Sequence, residues 1–191
     1  MNSLRQFSFI LILYILGTNL SLAQKSAVVI DSNGKEKLLG KITKDDFNDE
    51  SFATWFKPEY ENYKVDEKTI KGLAKKLKKY DIKVFMGTWC GDSKREVPRF
   101  YKLLETLDFR EDKLTVVAVD NTKENYKKSP GGEQKGLNIS KVPTFIFYKK
   151  NKEVNRIVES PIISLEKDIV NILEQKTYIP KYRKPRIVPV D

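Results

Sequence analysis

The chain has 191 residues, with 36 Lys and Arg against 26 Asp and Glu, and a net charge of +10. It holds one Cys and no His. The missing His excludes a Ser-His-Asp triad, a Cys-His dyad and His-ligated zinc, and the lone Cys excludes an intrachain disulfide and every multi-Cys metal site. Aromatic residues make up 11% and hydrophobic residues 40%, the composition of a folded domain. No pair of carboxylates can be placed in one cleft, so a hydrolase has no support. The remaining candidate for chemistry is a single thiol.

Residues 1–23 read as a cleaved export signal. Arg5 precedes a short apolar run at 7–16, and Ser21 and Ala23 stand three positions and one position before Gln24, as signal peptidase requires. The run is shorter than a bilayer span. Export, with the bacterial periplasm as the expected compartment, puts the lone thiol in oxidising surroundings.

Residues 25–40 predict a β-hairpin around Asp31-Ser32-Asn33-Gly34. This hairpin belongs to an N-terminal extension spanning 24–65. Its remainder, 44–63, reads as an irregular or short-helix stretch packed by Phe47, Phe52, Trp55, Phe56 and Tyr60. Residues 66–80 predict one helix, with Asp66 as N-cap and Ile70, Leu73, Ala74 and Leu77 at helical spacing.

A buried strand is expected at 83–88, a helix at 90–107 with Pro98 inside it, and a second buried strand at 113–120. Residues 121–136 are polar, contain Pro130-Gly131-Gly132 and predict a loop. Strands follow at 144–148 and 153–159, then a helix at 165–175. The main domain is expected to cover 66–176. A basic, Pro-containing tail covers 177–191. Strands alternating with helices and then a closing hairpin imply an α/β protein with a central sheet covered on both faces.

Cys90 falls where the strand at 83–88 meets the helix at 90–107. A thiol at a helix start faces unpaired N–H groups and the positive end of the dipole, which favour thiolate, and Lys94 and Arg95 act the same way. Asp92 acts against them. Much later in the chain, Val142-Pro143-Thr144 precedes an apolar strand, where a missing N–H is tolerated. A cis bond there would present the Val142 carbonyl and N–H as an edge for an extended peptide.

Trp89-Cys90-Gly91-x-x at a strand-to-helix junction, with Val142-Pro143-Thr144 before a later strand, resembles the thioredoxin family over residues 66–176. The resemblance implies a thioredoxin-like fold, with Cys90 as the nucleophile toward a disulfide and the Val142-Pro143 loop as the substrate cradle. Trp89, Gly91 and Asp92 then lie beside the substrate. It implies no cofactor, and as partners protein or small-molecule disulfides and thiols together with an outside reductase.

The sequence departs from the family at several places. Ser93 replaces the second Cys, Asp92 replaces the Pro inside the pair, and Val84 stands where typical members bury an acid. The 121–136 loop reads as an insertion.

A Cys-x-x-Ser site can form a mixed disulfide but has no second thiol to resolve it. The Ser93 hydroxyl is expected to donate to the Cys90 thiolate, which makes Ser93 a second catalytic candidate. Such a site suits isomerisation or exchange with outside thiols better than net reduction. The alternative is a noncatalytic peptide-binding or chaperone-like module with an idle Cys90. A peroxidase is disfavoured because Gly87 stands where a Thr or Ser is needed three residues before the thiol. The lysines from Lys71 to Lys79 read as a solvated helix face, not a nucleic-acid surface. Membrane contact is only weakly suggested, through the basic tail.

Overall fold

The computed structural model describes residues 26–182. The export signal expected at 1–23 and most of the basic tail lie outside the described residues. The chain runs β1 (Ala27–Ile30), β2 (Glu36–Ile42), α1 (Glu50–Asn62), α2 (Glu67–Ile70), α3 (Leu73–Leu77) and β3 (Asp81–Met86). It continues through α4 (Gly91–Thr106), β4 (Leu114–Ala118), β5 (Thr144–Lys149), β6 (Lys152–Val158) and α5 (Leu165–Leu173). The six strands form one sheet in the order β1-β2-β4-β3-β5-β6. Only the β3–β4 pairing is parallel, and α4 makes that crossover. This is the thioredoxin-like arrangement expected from the sequence, a mixed sheet with helices packed on it and an N-terminal hairpin.

The hairpin turns as its residues dictate. Asp31 Oδ1 accepts from the N–H groups of Asn33 and Lys35, and Gly34 takes φ +74°. Its second strand is no appendage: β2 pairs antiparallel with β4, bringing Gly40 opposite Ala118.

Two stretches differ from expectation. The 44–63 region holds a one-turn 3-10 helix at Lys44–Asn48 and then thirteen residues of helix in α1. Asp49 caps α1 by accepting from Ser51 N–H, and Phe52 and Phe56, one turn apart, are buried. The single helix expected at 66–80 is two short ones. Gly72 separates them with φ +78°, a conformation that ends one helical run before the next begins.

The sheet buries two unlike cores. On one face, Ile82, Val84, Met86, Val116, Ala118, Phe145, Phe147 and Ile157 meet apolar residues from all five helices. On the other, Phe85, Val117, Val119, Val142 and Ile146 form a smaller cluster. Trp89, Cys90, Leu137, Ile139 and Tyr148 cover that cluster. Most of its cover is therefore irregular chain, from the turn after β3 and from the β4–β5 connection. Among the described residues, no helix is long and apolar enough to cross a membrane.

Candidate active site

β3 and β4 are parallel neighbours, so both end at the same edge of the sheet. The chain leaving β3 turns at once into α4, and the chain returning to β5 passes opposite it. The Val142–Pro143 peptide bond at this place is cis. Cys90 is the N-cap residue of α4, with extended φ and ψ, and its carbonyl accepts the first helical bond from Lys94 N–H. Its Sγ lies 3.2 Å from the Val142 carbonyl oxygen and donates to it as a thiol. The sulfur is half-buried, against the smaller core. The Cys90 and Val142-Pro143 segments, far apart in sequence, thus meet at one point.

The turn before Cys90 is held by three contacts. Cys90 N–H donates to the Gly87 carbonyl at 2.9 Å. The Trp89 indole folds back over Gly87, where an added Cβ would stand 2.4 Å from the ring. Only glycine allows that approach, which accounts for the glycine at the place where a peroxidase needs a hydroxyl. Trp89 Nε1–H donates to the Val119 carbonyl at 2.8 Å, joining the turn to the end of β4.

The role expected of Ser93 requires a correction. Its side chain is fully buried, and its Oγ accepts from Gly87 N–H at 3.2 Å. Among the described residues it makes no hydrogen bond to Cys90 Sγ. Ser93 lies in the first turn of α4 and points beneath the Gly87 backbone, so it braces the strand-to-helix turn instead of the sulfur. Asp92 is also engaged: Arg95 donates to it at 2.7 Å and to buried Glu96 at 2.8 Å. The opposing charges expected around Cys90 are thus largely paired with each other. Gly91 is exposed, whereas Val142 and Pro143 are buried. What this edge offers a peptide is therefore backbone, and the Val142 carbonyl is held by the thiol.

Several residues at the rim were not foreseen. Tyr126, 53% exposed, places its ring 6.0 Å from that of Trp89 and widens the aromatic surface beside the sulfur. Lys127 stands 4.4 Å from the centre of the Tyr126 ring, and its Nζ donates to the Ser140 carbonyl. The 121–136 loop is thereby tied to the segment that carries Pro143. The C-terminal segment brings in Tyr182, whose hydroxyl donates to Glu159 Oε2 at 2.5 Å, just after β6. Nothing in the sequence marks Tyr126 or Tyr182, because both act through contacts between distant segments.

Behind the loop lies a buried pair. Lys37 Nζ donates to Asp120 Oδ1 and to Asn121 Oδ1. Burial alone would raise the Asp120 carboxyl, but the Lys37 ammonium, the Thr122 hydroxyl and two backbone N–H groups outweigh it and hold it below the ordinary value. Among the described residues, no group of three or more Cys or acidic side chains is placed to hold a metal ion.

The thioredoxin family model, described as Thioredoxin, matches residues 61–174. The chain is 33% identical over 96 residues to the TPR repeat-containing thioredoxin TDX of Arabidopsis thaliana, covering 50% of this chain and 23% of that protein. It is 30% identical over 79 residues to Thioredoxin Asp f 29 of Aspergillus fumigatus, covering 41% of this chain and 64% of that one. The chain thus spans less than two thirds of either relative. The crystal structure of thioredoxin O2 from Arabidopsis thaliana in the oxidized state aligns at 20% identity with a TM-score of 0.34, over 57% of this chain and 87% of that one. Since the family model matches more than half of the chain, and its span contains both segments that meet at Cys90, the protein belongs to the thioredoxin family.

Proposed function

We propose that this protein catalyses thiol–disulfide exchange through Cys90 alone, as an exported disulfide oxidoreductase or isomerase. The observation that carries the reading is the 3.2 Å contact between Cys90 Sγ and the Val142 carbonyl, which sets the thiol against the backbone edge where a client chain would dock. The Cys90 thiolate attacks one sulfur of a client disulfide. A Cys90–client disulfide forms, and the second client sulfur leaves as a thiolate. No second Cys exists to displace the client, so release needs another sulfur. If an outside thiolate attacks Cys90 Sγ, the client leaves reduced and Cys90 is left disulfide-bonded to that thiol, until a second outside thiolate displaces it as an oxidised thiol pair. If a client thiolate attacks the client sulfur of the mixed disulfide, Cys90 is regenerated and the client has exchanged one pairing for another. Isomerisation is thus the reaction that needs no reductant.

Trp89 supplies an apolar wall for the client, and Gly91 lets the client backbone approach the helix start. Ser93 serves by holding the turn. On this reading residues 1–23 are removed on export, so N-terminal sequencing of the protein recovered outside the cytoplasm should begin at Gln24. The bacterial periplasm is the proposed compartment.

The test is refolding of a scrambled-disulfide protein with a catalytic amount of this chain, lacking residues 1–23, in a glutathione buffer. The wild type should accelerate recovery of native pairings, and Cys90→Ala should reduce the rate to the buffer background. Equal rates for the two would overturn the reading.

One observation favours a second reading, a peptide-binding module with an idle thiol: the Ser93 hydroxyl is turned to Gly87 and not to the sulfur. In that case Cys90→Ala would bind an unfolded client peptide as the wild type does, while neither promotes exchange.

A further inference from the structure

The segment carrying Pro143 is held from behind by a cluster that the exchange steps do not use. Glu159 follows β6 and has φ +67°, a left-handed conformation that side chains other than Asn, Asp and His seldom take. Its N–H donates to the Pro143 carbonyl at 2.7 Å. Its carboxylate has two partners: Oε1 lies 3.2 Å from Lys141 Nζ, and Oε2 accepts from the Tyr182 hydroxyl at 2.5 Å. Lys141 Nζ also stands 4.8 Å from the centre of the Tyr182 ring. Lys181 Nζ donates to Ser160 Oγ at 2.6 Å, a second tie between the same segments.

One residue therefore joins the Lys141–Pro143 edge, the end of β6 and the C-terminal segment. Glycine would take this backbone conformation without strain. Strained backbone persists where the surroundings over-determine it, and here the surroundings are the docking edge. From the other side, Lys127 Nζ holds the Ser140 carbonyl, so the edge is fixed at two points.

We propose that Glu159 is a positioning residue for client docking, holding the Lys141–Pro143 edge in register with Cys90 through Pro143, Lys141 and Tyr182. The inference rests on the thiol-exchange reading and adds the residues that set client alignment. Glu159 acts through the edge and does no chemistry. When the carboxylate loses these partners, residue 159 is less firmly placed, its N–H no longer pins the Pro143 carbonyl in one position, and a docked chain meets Cys90 less often in line.

Two measurements on the chain lacking residues 1–23 test this. The first is amide hydrogen exchange at residue 159, which needs no activity. Tyr182→Phe and Glu159→Gln should each lower protection of that amide relative to wild type. The second compares the rates at which Cys90 displaces thionitrobenzoate from a short extended peptide and from free dithionitrobenzoate. Each reaction forms one Cys90 disulfide and releases one thionitrobenzoate, so the ratio of the rates reads docking alone.

Glu159→Gly should lower that ratio by about tenfold, of the order of one charged hydrogen bond. Its thermal midpoint should stay level or rise, since glycine relieves the positive φ, which separates positioning from stability. Unchanged protection in both conservative variants, or an unchanged ratio in Glu159→Gly, overturns the proposal. If wild-type Cys90 reacts with neither disulfide, the thiol-exchange reading fails and the docking role fails with it. A reactive wild type with an unchanged ratio overturns the positioning role alone.

Discussion

The two faces of the sheet are built by different means. One is sealed by five helices whose apolar stripes interlock with Phe145, Phe147 and Ile157. The other buries Phe85, Val117, Val119 and Ile146 beneath irregular chain, and that chain is held largely by polar anchors. Asp120 N–H donates to the Lys128 carbonyl, and Lys127 N–H donates back to the Asp120 carbonyl. The helical face gains stability from packing, which tolerates little movement. The opposite face can vary in its cover without unseating the sheet, and the candidate site sits on its rim. Scaffold and recognition are thus divided between the faces, with Cys90 at the junction.

The sharpest way to break this comparison is to delete the same side chain from each face. Phe145 and Phe85 are both fully buried, on adjacent strands and pointing in opposite directions. Phe145 packs on Phe100 with ring centroids 4.6 Å apart, between elements that cannot close over a void. Phe145→Ala should cost about 4–5 kcal/mol, the upper end for such a truncation, and Phe85→Ala about 3 kcal/mol, because irregular cover can settle inward. Urea unfolding of both variants measures this. Equal costs would mean that the loop-covered face is as rigid as the helical one.

The next largest effect is expected at the polar anchor. Lys37 and Asp120 are 4% and 8% exposed, and removing one partner strands the other. Asp120→Asn should cost about 2–3 kcal/mol and should loosen the 121–136 loop before the helices, visible as selective loss of amide protection at Lys127 and Lys128. Because folding depresses the Asp120 carboxyl, its contribution is full above the unfolded value of about 3.9 and is lost as pH falls through the lower folded value. Wild-type stability should therefore fall on acidification below about pH 4, and Asp120→Asn should show a shallower fall. Identical slopes would show that the carboxylate is not held by Lys37 in solution.

Much of this architecture was legible in the sequence, for physical reasons that also mark where the reading stopped. Fully buried strands such as β3 and β5 are short apolar runs, and a helix with a polar face such as α4 repeats every three to four residues. Both signals are local. The pairing of Cys90 with Val142 could be anticipated because each lies in a recognisable junction. The break at Gly72 has no signal in the apolar spacing, which continues across it, and the 44–63 stretch reads only as irregular or short-helix chain, because its aromatic residues look like scattered packing, where α1 runs thirteen residues.

Ser93 was misjudged because sequence spacing places it near Cys90 but does not say which way the hydroxyl turns. Tyr126, Glu159 and Tyr182 left no local trace at all. Their roles exist only once the β4–β5 connection, the end of β6 and the C-terminal segment are brought to one rim.

The smallest effect expected lies where the candidate site joins the loop-covered face. Trp89 belongs to the turn of the candidate site, yet its Nε1–H holds the last carbonyl of the loop-covered face, at Val119. Trp89→Phe keeps an apolar ring over Gly87 and removes that donor. The carbonyl it orphans belongs to a fully buried residue, so the loss should be about 1–2 kcal/mol. The Tyr126 ring, 6.0 Å from the indole, loses part of its support and with it the shared aromatic wall. If the rim is built for recognition, Trp89→Phe should slow exchange with a peptide disulfide more than with a small aryl disulfide. If the indole only braces the turn, the two rates should fall together.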